Sequence, residues 1–85
     1  MVILFEDKSF HTKIPENKPT IRLGNEGDHI REYQEKLITL GYQIEANGKF
    51  DKPTFEATRQ LQLDNHLKDD GIVKFSTYVA LDASL

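Results

Sequence analysis

The strongest constraint on this chain is a repeat inside its second half. Gly48-Lys49-Phe50-Asp51-Lys52-Pro53-Thr54-Phe55-Glu56-Ala57 can be laid over Gly71-Ile72-Val73-Lys74-Phe75-Ser76-Thr77-Tyr78-Val79-Ala80. Glycine falls on glycine, Phe50 on Val73 and Thr54 on Thr77, and an aromatic-x-Ala follows each threonine. Each unit reads as a glycine turn, an apolar plug and the start of a helix. Any two turn-to-helix junctions share some of this chemistry, but the ordered coincidence makes chance the weaker explanation.

Helical periodicity extends the pattern in both directions. Ile30, Tyr33, Leu37 and Leu40 recur at helical spacing and form one apolar face. Asn25 is an N-cap candidate, Glu26 and Asp28 put negative charge where the helix dipole favours it, and Gly41 can stop the helix in a left-handed conformation. The first helix is predicted at 26–40. Asp51 can cap a second at 52–65, with Pro53 in its first turn, where no N–H is needed, and with Phe55, Thr58, Leu61 and Gln62 inward. A short third helix is predicted at 75–81, with Tyr78 and Leu81 inward. Ile30, Leu37, Leu40, Phe50, Leu61, Val73 and Leu81 form the expected core.

The first 20 residues differ. Val2-Ile3-Leu4-Phe5 is a short apolar run, and Phe10, Thr12 and Ile14 alternate with polar residues. This stretch reads as a strand-like arm or β-hairpin, followed by a linker in which Pro15 and Pro19 disfavour both helix and ladder. Residues 1–20 are therefore expected to be arm and linker, and 21–85 a mainly α domain, a small orthogonal three-helix bundle.

With 85 residues the chain supports one core and buries roughly 60 to 65% of its unfolded surface. Hydrophobic residues at 38% and charged residues at 29% suit a globular domain. No apolar run approaches the roughly 20 residues that span a bilayer, and no secretory signal is recognisable. The net charge is −3 and the Lys and Arg residues are scattered, which argues against nucleic acid as a partner. The absence of cysteine excludes disulfides and thiolate metal sites.

The ordered motifs resemble the peptidoglycan-binding domain family, the small cell-wall-binding module of bacterial and phage hydrolases. The matching residues are Arg22-Leu23-Gly24, Gly27, Gln34, Leu37, Leu40-Gly41-Tyr42, Gly48-Lys49-Phe50, Thr54, Ala57, Leu61-Gln62, Leu67, Asp70-Gly71-Ile72-Val73, Thr77 and Leu81. They cover residues 21–82. The chain departs from the family pattern where Asp51 and Lys74 stand in place of glycine, where Phe75 replaces a small residue or proline, and where His66 replaces glycine. The resemblance implies a ligand groove bordered by the two glycine turns, where Asp51 and Lys74 now put charge.

No catalytic constellation is apparent. The three histidines lack metal-clamp spacing, and His66, Asp69 and Asp70 are more simply a solvated loop. Glu26, Asp28, Glu32 and Glu35 have the spacing of an exposed face rather than of a glycosidase pair, and no activated serine or phosphate-binding glycine loop is present. Neither a catalytic residue nor a cofactor is expected.

Peptidoglycan offers acetamido groups, hydroxyls and peptide amides, which a shallow groove of amides, hydroxyls and aromatic faces can bind. Tyr42, Asn47, Thr54, Gln62, Asp70, Thr77 and Tyr78 supply those chemistries near the turns and are the candidate ligand-binding residues. Several have a structural reading too. Thr54 and Thr77 can satisfy helix N-terminal donors, Gln34 and Gln62 can tie loops down, and Tyr42 can staple the end of the first helix.

The expected function is non-catalytic binding of peptidoglycan, through its glycan or its stem peptide, as an anchoring or targeting module. The alternative is a protein-interaction module in a phage tail or contractile particle, with residues 2–14 meeting an assembly partner. The expected location is the cell wall or periplasm after delivery by lysis or by a particle, or the virion itself.

Overall fold

A computed structural model describes residues 18–85. The arm at 2–14, its hairpin reading and Pro15 lie outside the described residues. Within them the chain forms three helices: α1 at Asp28–Thr39, α2 at Lys52–Asp64 and α3 at Phe75–Ser84. Two antiparallel bridges, Ile21 with Val73 and Glu26 with Lys49, replace any extended sheet among these residues.

The start of α1 differs from the sequence expectation. Its N-cap is Gly27, without a side-chain cap, and not Asn25. Asn25 is held in the preceding segment, where its Oδ1 accepts from the Arg22 N–H at 2.9 Å and its carbonyl accepts from the Phe50 N–H at 2.8 Å. Glu26, bridged to Lys49, also stays outside the helix.

Helices α1 and α2 stop in the same way. At the end of α1 the Gly41 N–H donates to Ile38 O and the Tyr42 N–H to Leu37 O. At the end of α2 the His66 N–H donates to Leu63 O and the Leu67 N–H to Gln62 O. This pair of bonds, closing on a left-handed residue, is the Schellman motif. Gly41 takes that conformation at φ +104, and His66 takes it at φ 60. The latter is the position where the family pattern has glycine. Helix α3 runs one turn past the expected Leu81, to Ser84.

One core unites the elements. Ile21, Ile30, Tyr33, Leu37, Phe50, Leu61, Val73 and Leu81 are buried together. Both plugs of the repeat, Phe50 and Val73, are in it, and the Phe50 ring stacks on Tyr33 with centroids 6.1 Å apart. Leu40, expected in the core, packs against it but is only partly buried, because it is the C-cap of α1 and lies at the chain reversal. Phe55, also expected inward, is half-buried and lies across Gly71, where an added Cβ would collide with its ring.

Truncating Leu37 or Leu61, each at most 1% exposed, should therefore destabilise the domain by about 2 to 5 kcal/mol. A chemical-denaturation midpoint unchanged in either alanine variant would contradict this core assignment.

Candidate functional site

The repeat becomes a pair of matching turns, each clamped by a buried glutamine from the helix before it. Gln34 leaves α1 and accepts the Gly48 N–H on its Oε1 at 2.8 Å. Its Nε2 donates to Asn47 Oδ1 at 3.1 Å, Lys49 O at 2.8 Å and Thr54 Oγ1 at 2.9 Å. Gln62 leaves α2 and repeats the pattern. Its Oε1 accepts the Gly71 N–H at 2.9 Å, and its Nε2 faces Asp70 Oδ1, Ile72 O and Thr77 Oγ1 at 3.3, 3.0 and 3.1 Å. Asn47 and Asp70 also play one role, each accepting on Oδ1 the N–H of the residue two positions on. This Asx-turn fixes the turn locally.

A single segment ties both turns to the bundle. Ile21 exchanges both backbone bonds with Val73. Gly24 donates to Phe50 O, Asn25 accepts from the Phe50 N–H, and Gly27 donates to Gly48 O at 2.9 Å. Residues 21–27 therefore satisfy the backbone of both plugs, which would otherwise be buried unpaired.

The helix starts beyond the turns differ. Asp51 caps α2: its Oδ1 accepts from the Thr54 N–H and hydroxyl, and its Oδ2 from Asn47 Nδ2 at 3.1 Å. Burial raises the Asp51 pKa, but the hydrogen bonds from Asn47 and Thr54 outweigh it and hold the carboxyl below its usual value. In the second copy the N-cap is Lys74, which makes no side-chain cap and pairs with Asp70 at 3.6 Å. Asp69 is bound by Arg59 at 2.8 Å, which lowers its pKa and fastens the 66–70 loop to α2.

Each turn borders a hollow. The first is a polar cleft of about 320 Å³ between the start of α1 and the first turn, walled by Glu26, Asp28, Arg31, Asn47 and Lys49. The second, about 80 Å³, lies at the start of α3 between Lys68, Asp70, Lys74 and Thr77. A third hollow of about 420 Å³ runs along Gln43, Ile44 and Glu45 to Asp51 and Pro53.

The seven candidate residues separate into two groups. Asn47 is exposed and Asp70 partly so, each at the rim of its hollow. Thr54, Gln62 and Thr77 are at most 2% exposed and engaged in the clamps. Tyr78 is buried on α3, its hydroxyl donating to Pro19 O at 2.6 Å. Tyr42 is half-buried at the end of α1 and donates to Asp64 at 3.0 Å. Desolvation, then the bond to Asp64, pushes its hydroxyl up to about 12, so it remains a donor. Arg31 and Lys49 in the cleft wall are not among the ligand-binding candidates read from the sequence, where an exposed cation carries no signal of its own. Among the described residues no group of three or more His, Asp or Glu side chains is gathered as for a metal ion.

The model of the peptidoglycan binding domain family matches residues 26–81. The chain belongs to this family. Its domain is a binding module, and membership places it in association with the bacterial cell wall. Solved structures agree. A peptidoglycan-binding protein from Clostridioides difficile, in complex with glutamine hydroxamate, is 32% identical with a TM-score of 0.72 over 74% of this chain and 40% of that one. The Burkholderia AP3 phage endolysin is 28% identical with a TM-score of 0.74, over 79% of this chain and 26% of that one. The SleB N-terminal domain is 27% identical with a TM-score of 0.73, over 81% of this chain and 97% of that one. This chain thus spans less than half of the first and about a quarter of the endolysin, but nearly all of the SleB domain. No curated protein matches it significantly. No helix among the described residues is long and apolar enough to cross a membrane.

Three lowered carboxyl pKa values make the fold acid-sensitive. Hydrogen bonds, joined by neighbouring cations at Asp69 and Asp70, hold the carboxyls of Asp51, Asp69 and Asp70 below the usual aspartate value. A group depressed in the folded state stabilises it above its unfolded pKa, and that stability is lost as pH falls through the folded value. The melting temperature should vary little from pH 7 to about 5 and fall progressively below about 4. A melt independent of pH between 4 and 2 would contradict these bonds.

Proposed function

We propose that this chain binds bacterial peptidoglycan without turning it over, as an anchoring or targeting module, through the surface formed by its two clamped turns. The observation that carries the reading is the cleft at the first turn. It offers the Asn47 amide, two cations and two carboxylates around the backbones of Gly27 and Gly48. Such a wall suits a polymer of amides, hydroxyls and charged stem peptides.

In this reading Asn47, Asp70 and Tyr42 face the ligand, and clamped Thr77 lines the floor of the second hollow. Thr54, Gln62 and Tyr78 hold the shape of the surface. A shallow site on pre-formed turns gives modest affinity per module. That suits a unit whose task is to raise the local concentration of whatever is linked to it. Binding of this kind requires neither an activated nucleophile nor a pair of carboxylates acting as acid and base.

Sedimentation with purified, protein-free sacculi tests this. The wild-type chain should co-sediment and release neither soluble reducing ends nor free stem peptides. Replacing exposed Arg31 and Lys49 together with glutamate should weaken binding at least tenfold and leave the melting temperature nearly unchanged, because surface substitutions are usually worth within about 0.5 kcal/mol each. Failure of the wild type to sediment, or release of wall fragments by it, would overturn the proposal.

A further inference from the structure

The two copies of the repeat differ in how the helix after each turn is capped. At the start of α2 the Asp51 carboxylate takes both the N–H and the hydroxyl proton of Thr54. At the start of α3 the backbone is the same: φ −118 and ψ −169 at Lys74 against φ −100 and ψ −173 at Asp51. Thr77 stands where Thr54 does and is 2% exposed. Its hydroxyl accepts from Gln62 Nε2 at 3.1 Å. Among the described residues no acceptor takes its proton, and no side chain caps the N-terminal amides of the ten-residue helix. A buried hydroxyl donor left unpaired is costly, and this one lines the hollow between Lys68 and Lys74.

We infer that the start of α3 is a carboxylate-binding site, in which an acidic group of the peptidoglycan stem peptide takes the place that Asp51 fills in the first copy. This rests on the wall-binding reading above and narrows it from wall polymer to stem peptide. The Thr77 hydroxyl and N–H donate to the carboxylate. Lys74 and Lys68 flank it with positive charge, and the helix N-terminus adds its dipole. Asp70 opposes an anion, but its Oδ1 is bound to the Ile72 N–H and its Oδ2 lies 3.6 Å from Lys74 Nζ. Two lysines face the single Asp70 carboxylate here, so an incoming carboxylate balances the charge and a neutral sugar does not. The stem peptide has two carboxylates that fit, the α-carboxylate of its γ-linked D-glutamate and its terminal D-alanine carboxylate.

The probes are four synthetic stem pentapeptides: both carboxylates free, each amidated singly, and both amidated. Binding to the full chain is followed by the amide shifts of Ser76 and Thr77 in 15N NMR spectra. The free peptide should move these amides, and double amidation should weaken binding at least tenfold. The singly amidated peptides show which carboxylate is read. Exchanging Asp70→Asn together with Lys74→Asp transplants the first copy's pair into the second. That variant should melt at a higher temperature than wild type and bind the free and doubly amidated peptides alike, so its loss cannot be ascribed to unfolding. Equal binding of the free and doubly amidated peptides by wild type would overturn the inference. So would retention of the preference in the exchanged variant. Wild-type sedimentation with sacculi in the face of either result would leave the wall-binding reading standing and the carboxylate site refuted.

Discussion

A glutamine amide buried against a glycine turn is the contact on which the rest of this domain depends. A primary amide carries an acceptor and two donors in one plane. Gln34 and Gln62 each use the acceptor for a turn N–H and the donors for a turn carbonyl, an Asx oxygen and a threonine hydroxyl. No apolar side chain of the same size could do this, and each group left unsatisfied would cost about 1 to 3 kcal/mol. A carboxylate would fail too, since it has no proton for the carbonyl.

With the turns fixed, the other features follow. Phe50 and Val73 enter one core because the chain reverses where each glutamine holds it. The segment 21–27 is held against both plugs by hydrogen bonds to the backbone groups of Phe50 and Val73. Gly71 must be glycine on two counts, its φ of +75 and the Phe55 ring lying across it. The same fixation serves binding. Little conformational freedom remains in the turns for a ligand to remove, so less of the interaction energy is spent on ordering the protein. The domain thus offers two rigid, chemically different edges, one capped by its own aspartate and one flanked by lysines.

Much of this was legible in the sequence. The apolar spacing from Ile30 to Leu37, the Asp51 cap, Gly41 as a helix stop and the plugs Phe50 and Val73 all rest on local chemistry that acts within a few residues. The start of α1 was misjudged because Asn25 satisfies the criteria for a cap but is bound through its backbone to Phe50, a partner distant in sequence. Leu40 kept helical spacing but fell at the chain reversal. The glutamine clamps were legible only in part. The two helix-to-turn loops differ in length, with Gln34 preceding Asn47 by 13 residues and Gln62 preceding Asp70 by 8. An overlay at one fixed offset therefore aligns the turns and misses the residues that hold them. The site residues mixed two classes for a related reason. A threonine or glutamine beside a turn has the same sequence signature whether it faces a ligand or a buried amide.

The clamps themselves are most directly tested by amide hydrogen exchange at Gly48 and Gly71, measured residue by residue under native conditions. Both N–H groups belong to turns outside any helix, where fast exchange is the ordinary behaviour, yet each donates to a buried glutamine carbonyl. Both should exchange only through global unfolding, with protection matching that of core amides such as Leu37 and Leu61. Exchange at the rate of an open loop at either glycine would contradict it.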